Sequence, residues 1–287
     1  MQALLYPPST PQSIGQVLDS GFRLFQVSLV RSLVYAALAM IAGQLHAIVY
    51  LLSGRQIPGL GGAVSGGYVL LYLVGVVLML LLYGLVMLRQ HGTATRRPLP
   101  FNLELSEALR RLPAYLGTSV ITILLFVVGG VIVGVAYGIV KMTGGSPMPV
   151  VITAVVVTIP LVYLFTPLMT AAPAVLLDRK GPFEAIRYAF RLVSGNWWRT
   201  TAIYTVAAVV LIVFYFVIMI FAAFLLPLLG AADLAMFTAA SAVMYMVLGS
   251  IGLPFGTAIL IAAYGELKVR KEGLDLEQRV AGTLPEQ

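Results

Sequence analysis

Six long apolar runs divide the chain, at roughly 31 to 52, 68 to 89, 114 to 140, 149 to 177, 200 to 229 and 235 to 265. Each is long enough to cross about 30 Å of hydrocarbon at 1.5 Å per residue, so the pattern predicts six membrane-spanning helices. A second pattern, amphipathic and of helical period, occupies polar stretches beside the runs. Its clearest copy lies within Asp178 to Thr200. Gly181 and Pro182 predict a helix start there, with Glu184 near its positive end. Phe183, Ile186, Phe190 and Val193 recur at helical spacing, while Arg187 and Arg191 sit four apart and can reach water or lipid phosphate. Gly195 and Asn196 end the segment, and Trp197 and Trp198 follow as anchors at headgroup level. The stretch reads as a short interfacial helix that feeds a span.

Looser copies occur twice upstream. After a Pro-containing tail over residues 1 to 11, Ser13 and Gln16 form a capping box, and Ile14, Val17, Leu18, Leu24 and Phe25 form an apolar stripe opposite Asp19 and Arg23. In the second copy Asn102 is placed to cap a helix lined by Leu105, Leu109 and Leu112, with Arg110 and Arg111 supplying charge. Pro113 is expected to end or kink that helix before span three. Pro167-Leu-Met-Thr170-Ala171 in span four and Pro254-Phe-Gly-Thr257-Ala258 in span six share the spacing P-x-x-T-A. The recurrences predict a threefold internal repeat of one interfacial helix plus two spans, over 12–91, 101–178 and 181–269. The predicted fold class is therefore all-α: one membrane domain over 12–271 with six spans and three amphipathic helices, then a tail over 272–287.

Composition agrees with this reading, since 60% of residues are hydrophobic and 10% charged, against about 45–50% and about 25% in soluble domains. The net charge of +7 raises the question of nucleic acid, but the placement of the basic residues answers it. With a cytoplasmic N-terminus, the outer loops hold only Arg55 and Lys141 of the 18 Lys and Arg, and the inner segments hold the other 16. That asymmetry predicts cytoplasmic N- and C-termini, and partners that are membrane lipids with anionic headgroups rather than nucleic acid. Arg23, Arg110, Arg111, Arg187 and Arg191 are the candidate lipid contacts, set against the simpler role of satisfying the positive-inside rule. The N-terminus lacks a basic n-region and an immediate apolar segment, so no cleavable signal peptide is predicted.

Chemistry is sparse. The chain has no Cys, and its two histidines, His46 and His91, fall toward opposite sides of the membrane, which removes a paired histidine metal site. His46 suits a hydrogen-bonded interhelical position and His91 a solvated loop. No phosphate-binding loop, nucleophile elbow or H-E-x-x-H motif is present. The spans carry no Asp, Glu, Lys or Arg away from their ends, which argues against an ion-coupled pump. Glu266, Lys268, Arg270, Lys271 and Glu272 look like a solvated helix end. Gly130, Gly134 and Gly138 form a small-residue stripe in span three, suited to packing within one chain or to a dimer face. Pro167 and Pro254 are candidate packing or hinge positions.

Three stretches, Ser13 to Phe25, Gly181 to Trp198 and Ala263 to Asp275, resemble in matching order a bacterial membrane-domain family. It is the domain found attached to some glycerophosphoryl diester phosphodiesterases, and it also occurs in stand-alone YciC-like inner-membrane proteins. The phosphodiesterase activity belongs to a separate soluble barrel, so the resemblance implies a lipid or membrane context and not the enzyme. The expected function is a non-enzymatic protein of the bacterial inner membrane, a scaffold or lipid-interacting partner of another protein. A permease or lipid translocator using the Pro-containing spans four and six is the alternative. No cofactor and no catalytic residue is expected.

Overall fold

The structure, a computed structural model, describes residues 6–53, 65–228 and 234–273. Residues 1–5, 54–64, 229–233 and 274–287 lie outside the described residues. Every regular element among the described residues is a helix: α1 (Ile14–Gly43), α2 (Leu45–Leu52), α3 (Gly66–Ala94), α4 (Phe101–Thr143), α5 (Met148–Leu176), α6 (Pro182–Val193), α7 (Trp197–Leu228) and α8 (Leu234–Glu272). All but α2 and α6 are long and apolar enough to cross a membrane.

Local chemistry sets the ends. The Ser13 hydroxyl accepts from the Gln16 N–H at 3.3 Å while the Gln16 side chain accepts from the Ser13 N–H at 2.7 Å, the reciprocal pair of a capping box. The first amphipathic segment does not stop before span one; it continues as the single helix α1, because nothing between Phe25 and Leu33 lacks an N–H or needs a left-handed backbone. Span one instead breaks near its far end, where α1 stops at Gly43 and Gln44 leads into α2. α4 likewise continues through Pro113. Proline removes the donor to the Leu109 carbonyl, and Leu109 is exposed enough for water or a headgroup to replace it. α4 also begins at Phe101, so Asn102 lies in its first turn and does not cap it. Only the third segment is a separate helix. Gly195, at φ +78°, takes the left-handed conformation that separates α6 from α7.

The chain forms two compact units, residues 1–112 with 202–287, and residues 113–201. In the first, α1 packs against α3 and α8, and α3 against α8. The contact face of α1 is a row of small residues, including Gly21, Ser28, Ser32, Ala36 and Ala39, all buried. A Cβ on Gly21 would stand 3.1 Å from the Cα of Ile259, so glycine is what lets α1 and α8 approach. Ser28 and Ser32 return their hydroxyl protons to the carbonyls of Leu24 and Ser28, so both buried hydroxyls are satisfied within α1. Val17, Ile203, Ala207, Phe255 and Ile259 form an apolar cluster in the same unit. In the second unit α5 packs on α6, and Leu168, Ala171 and Val175 of α5 and Ala185, Ala189 and Leu192 of α6 are buried.

Candidate functional site

The polar groups of the first unit converge where α3 ends. Arg89 lies beside Glu104 at 2.6 Å, donates to the Tyr35 hydroxyl at 2.9 Å, and has its guanidinium 5.6 Å from the Tyr35 ring centre. Tyr35 in turn stacks on Phe101 at 6.1 Å. The Glu104 side chain is fully buried and that of Arg89 is 19% exposed, so this is a largely desolvated ion pair joining α3 to the first turns of α4. One residue on, the Gln90 side chain is also fully buried. Its amide donates to the Pro254 carbonyl at 2.7 Å, and its oxygen accepts from the Thr257 hydroxyl at 2.7 Å. The P-x-x-T spacing of α8 thus presents a carbonyl and a hydroxyl one turn apart, and Gln90 of α3 closes on both.

A third tie lies at the end of α8. Glu266, expected in a solvated helix end, is 1% exposed and paired with Arg270, which also donates to the Gln12 carbonyl at 2.9 Å. The reason is that residues 6 to 12, although without helical period, pack under this end: Tyr6 lies against Gly265 and meets the His91 ring at 4.9 Å. His91 is therefore not simply a solvated loop side chain. His46 sits edge-on between the rings of Tyr68 and Tyr72, at 5.0 and 5.1 Å, in aromatic contact in place of the interhelical hydrogen bond expected of it.

The second unit shows a different arrangement. Pro167 has no N–H to give the Tyr163 carbonyl one turn earlier, and the indole N–H of Trp197 donates to that carbonyl at 2.9 Å. The two rings stack at 5.3 Å, and Trp198 meets Trp197 edge-on at 4.5 Å. Together with Val155, Ile159 and Val162 they line an open apolar groove of about 670 Å³. Thr166 and Thr201 exchange a hydrogen bond at 2.7 Å beside it in sequence. Just before α6, Lys180 bonds Glu184 of its first turn at 2.8 Å and holds that carboxyl below the usual glutamate range.

The predicted site residues are distributed as follows. Arg23 pairs with Asp19 at 3.0 Å, and Arg111 with Glu107 at 2.7 Å. Arg110, Arg187 and Arg191 are exposed, the last with its guanidinium 5.8 Å from the Tyr188 ring. Phe183 is 76% exposed, so the side of α6 that packs on α5 is the Ala185, Tyr188 and Ala189 side, not the full Phe183 to Val193 stripe. Trp198 is 81% exposed. Pro167 and Pro254 are buried within continuous helices. Gly130, Gly134 and Gly138 have open space where a Cβ would stand, and it is the neighbouring Gly129 that meets Leu161 and Val157 of α5.

Arg89, Gln90 and Glu104 were not singled out from the sequence. A signal existed for two of them: Glu104 falls on the same helical face as the buried Ala108 and Tyr115, and Gln90 on that of Met87 and Ala94. Among the described residues no group of three or more His, Asp and Glu side chains is gathered as a metal site needs. The helices and their polar ties define a multi-pass α-helical membrane protein. Comparison with protein-family models, with curated proteins and with solved structures finds no match.

Proposed function

We propose that this is a non-enzymatic, lipid-interacting scaffold of the bacterial inner membrane, with both termini cytoplasmic, that works with a separate protein partner. One observation carries the reading: in the first unit Arg89 pairs with Glu104, Glu266 with Arg270 and Gln90 bonds Pro254 and Thr257, while the apolar windows of α4 and α5 are only 6% and 0% buried. A protein built this way offers surface to lipid and keeps its charges as ties. The arrangement at Pro254 and at the Tyr163 carbonyl favours fixed helices over hinged ones, so the geometry lends the permease alternative no support.

The cytoplasmic orientation rests on the distribution of 16 basic residues against 2. The exposed Arg110, Arg187 and Arg191, with Phe183 and Trp198, suit an interfacial belt. Each basic residue near an anionic surface is worth about 1 kcal/mol. We take the threefold repeat in a modified form, in which the amphipathic segment is fused to its span in the first two copies and detached in the third. The resemblance of three sequence stretches to a domain fused with phosphodiesterases is what suggests a partner.

Native mass spectrometry of the protein extracted from its own membrane tests the reading. Retained phospholipid and a co-purifying protein are the expected result, with Arg187→Glu plus Arg191→Glu lowering anionic-lipid retention. Movement of labelled phospholipid or solute across liposomes, lost on substitution of Pro167 or Pro254, overturns the scaffold.

A further inference from the structure

The first unit carries a second groove, of about 370 Å³, that differs from the one beside Trp197 in one respect: a carboxylate lines it. Leu18 and Phe22 of α1, Val206 and Val210 of α7, and Phe255 and Ile259 of α8 supply its apolar walls. Asp19 stands among them, and its ion pair with Arg23 is exposed, at 58% and 66% of the two side chains. Phe22, Val206 and Val210 are each between 43% and 50% exposed, so the groove opens along its length. The apolar walls lie on three helices that are long and apolar enough to span, where hydrocarbon is the surrounding medium.

We infer that this groove binds a single phospholipid with a primary ammonium headgroup, its acyl chain against Phe22 and Val210 and its headgroup across Asp19 and Arg23. The inference rests on the lipid-interacting reading above and names the lipid class and the site. Charge complementarity selects the occupant. Arg23 and Asp19 sum to zero, so a purely anionic headgroup meets attraction from one and repulsion from the other at nearly equal distance. A zwitterion meets two attractions when its phosphate faces Arg23 and its ammonium faces Asp19. The pair is closed through Arg23 Nε and Asp19 Oδ2, and neither residue has another partner among the described residues. The guanidinium Nη groups thus remain as donors for phosphate oxygens, and Asp19 Oδ1 as an acceptor for an ammonium N–H. A quaternary ammonium has no N–H to give, so the primary amine is the better match. The groove beside Trp197 has no charged residue in its lining and provides no such selection.

The full chain is reconstituted in vesicles of equal phosphatidylethanolamine and phosphatidylglycerol, extracted gently, and the retained lipids are counted by native mass spectrometry. Wild type is expected to retain phosphatidylethanolamine in excess. Asp19→Asn is expected to reduce that excess about fivefold, the factor one charge contact at a lipid surface is worth. Val210→Phe fills the groove on an exposed side of α7 and is expected to remove the excess, whereas Val155→Phe in the other groove leaves it unchanged. Retention of no lipid at all by wild type overturns the lipid-interacting reading itself. Retention with a headgroup ratio that neither Asp19→Asn nor Val210→Phe moves overturns this site and leaves that reading standing.

Discussion

α8 and α5 share a signature, a proline followed three residues later by threonine and alanine, yet the best spanning window of α8 is 61% buried and that of α5 is 0% buried. The more polar of the two is the one inside. Around its proline α8 carries Gly252, where a Cβ would meet Tyr215 of α7, and Thr257, which bonds Gln90 of α3, whereas Val155, Val156 and Ile159 of α5 are exposed. In lipid no hydrophobic force drives helices together, so association depends on small residues, close packing and polar ties. Apolar excess then marks the lipid side. The two proline turns are alike in one respect, since each is met by a side chain of another helix, Gln90 of α3 at that of α8 and Trp197 of α7 at the Tyr163 carbonyl of α5.

The sharpest way to break this comparison is to remove a tie from the first unit. Arg89→Ala leaves Glu104 charged and fully buried, and removing one partner of a buried pair costs about 3–5 kcal/mol. Unfolding in a fixed detergent should report that loss, while Arg89→Met combined with Glu104→Met recovers most of it. Val155→Ala on the exposed side of α5 should stay within about 0.5 kcal/mol of wild type. Equal effects from Arg89→Ala and Val155→Ala would remove the distinction between the units.

Gln90→Leu comes next. It abolishes the bonds to Pro254 and Thr257 and leaves a buried carbonyl and hydroxyl with fewer partners, at about 1–3 kcal/mol. Thr257→Val gives up only one of these two bonds and keeps the one from Gln90 to the Pro254 carbonyl, so it should cost less than Gln90→Leu. The reverse order would mean that the threonine, not the glutamine, holds the seam.

A smaller effect tests the second unit. Trp197→Phe keeps an aromatic ring but removes the donor to the Tyr163 carbonyl, worth about 1 kcal/mol. Pro167→Ala restores an N–H one turn from that carbonyl, so the tryptophan change should cost less in that background. A double-mutant cycle on Trp197 and Pro167 reads this coupling directly. Additive costs would show that the indole bond does not repair the proline gap.

Much of this architecture is legible in the residues. The six runs become six helices because hydrocarbon allows few other backbone solutions, and Ser13, Gln16 and Gly195 mark helix ends by capping chemistry and a left-handed turn. Helix continuity is harder to read. Pro113 carries a strong local signal to stop, yet a single orphaned carbonyl on an exposed turn costs too little to end a 43-residue helix. The polar layer is hardest. Arg89 and Glu104 are 15 positions apart and look like separate loop charges until α3 and α4 bring them to 2.6 Å. Glu266 resembles its charged neighbours in sequence, yet it is buried at the end of α8 that Tyr6 and Gln12 meet.

The smallest effect concerns pH at α6. The hydrogen bond from Lys180, followed by its charge, lowers the Glu184 carboxyl below the ordinary value, so the folded state favours the ionised form. That contribution is complete above the unfolded glutamate value of about 4.3 and fades as pH falls through the lower folded value. Glu184 is exposed, and screening by solvent keeps the effect slight. It is still measurable, because the only two tryptophans of the chain, Trp197 and Trp198, follow α6 in the same unit and report on it by fluorescence. Wild type should show a small emission change on acidification below about pH 4.3, and Glu184→Gln should shift or remove it. Lys180→Met should move the change toward higher pH, since the carboxyl then returns to its ordinary range. An acid transition that is identical in all three proteins would assign it to another group and leave the Lys180–Glu184 pair without a role at the start of α6.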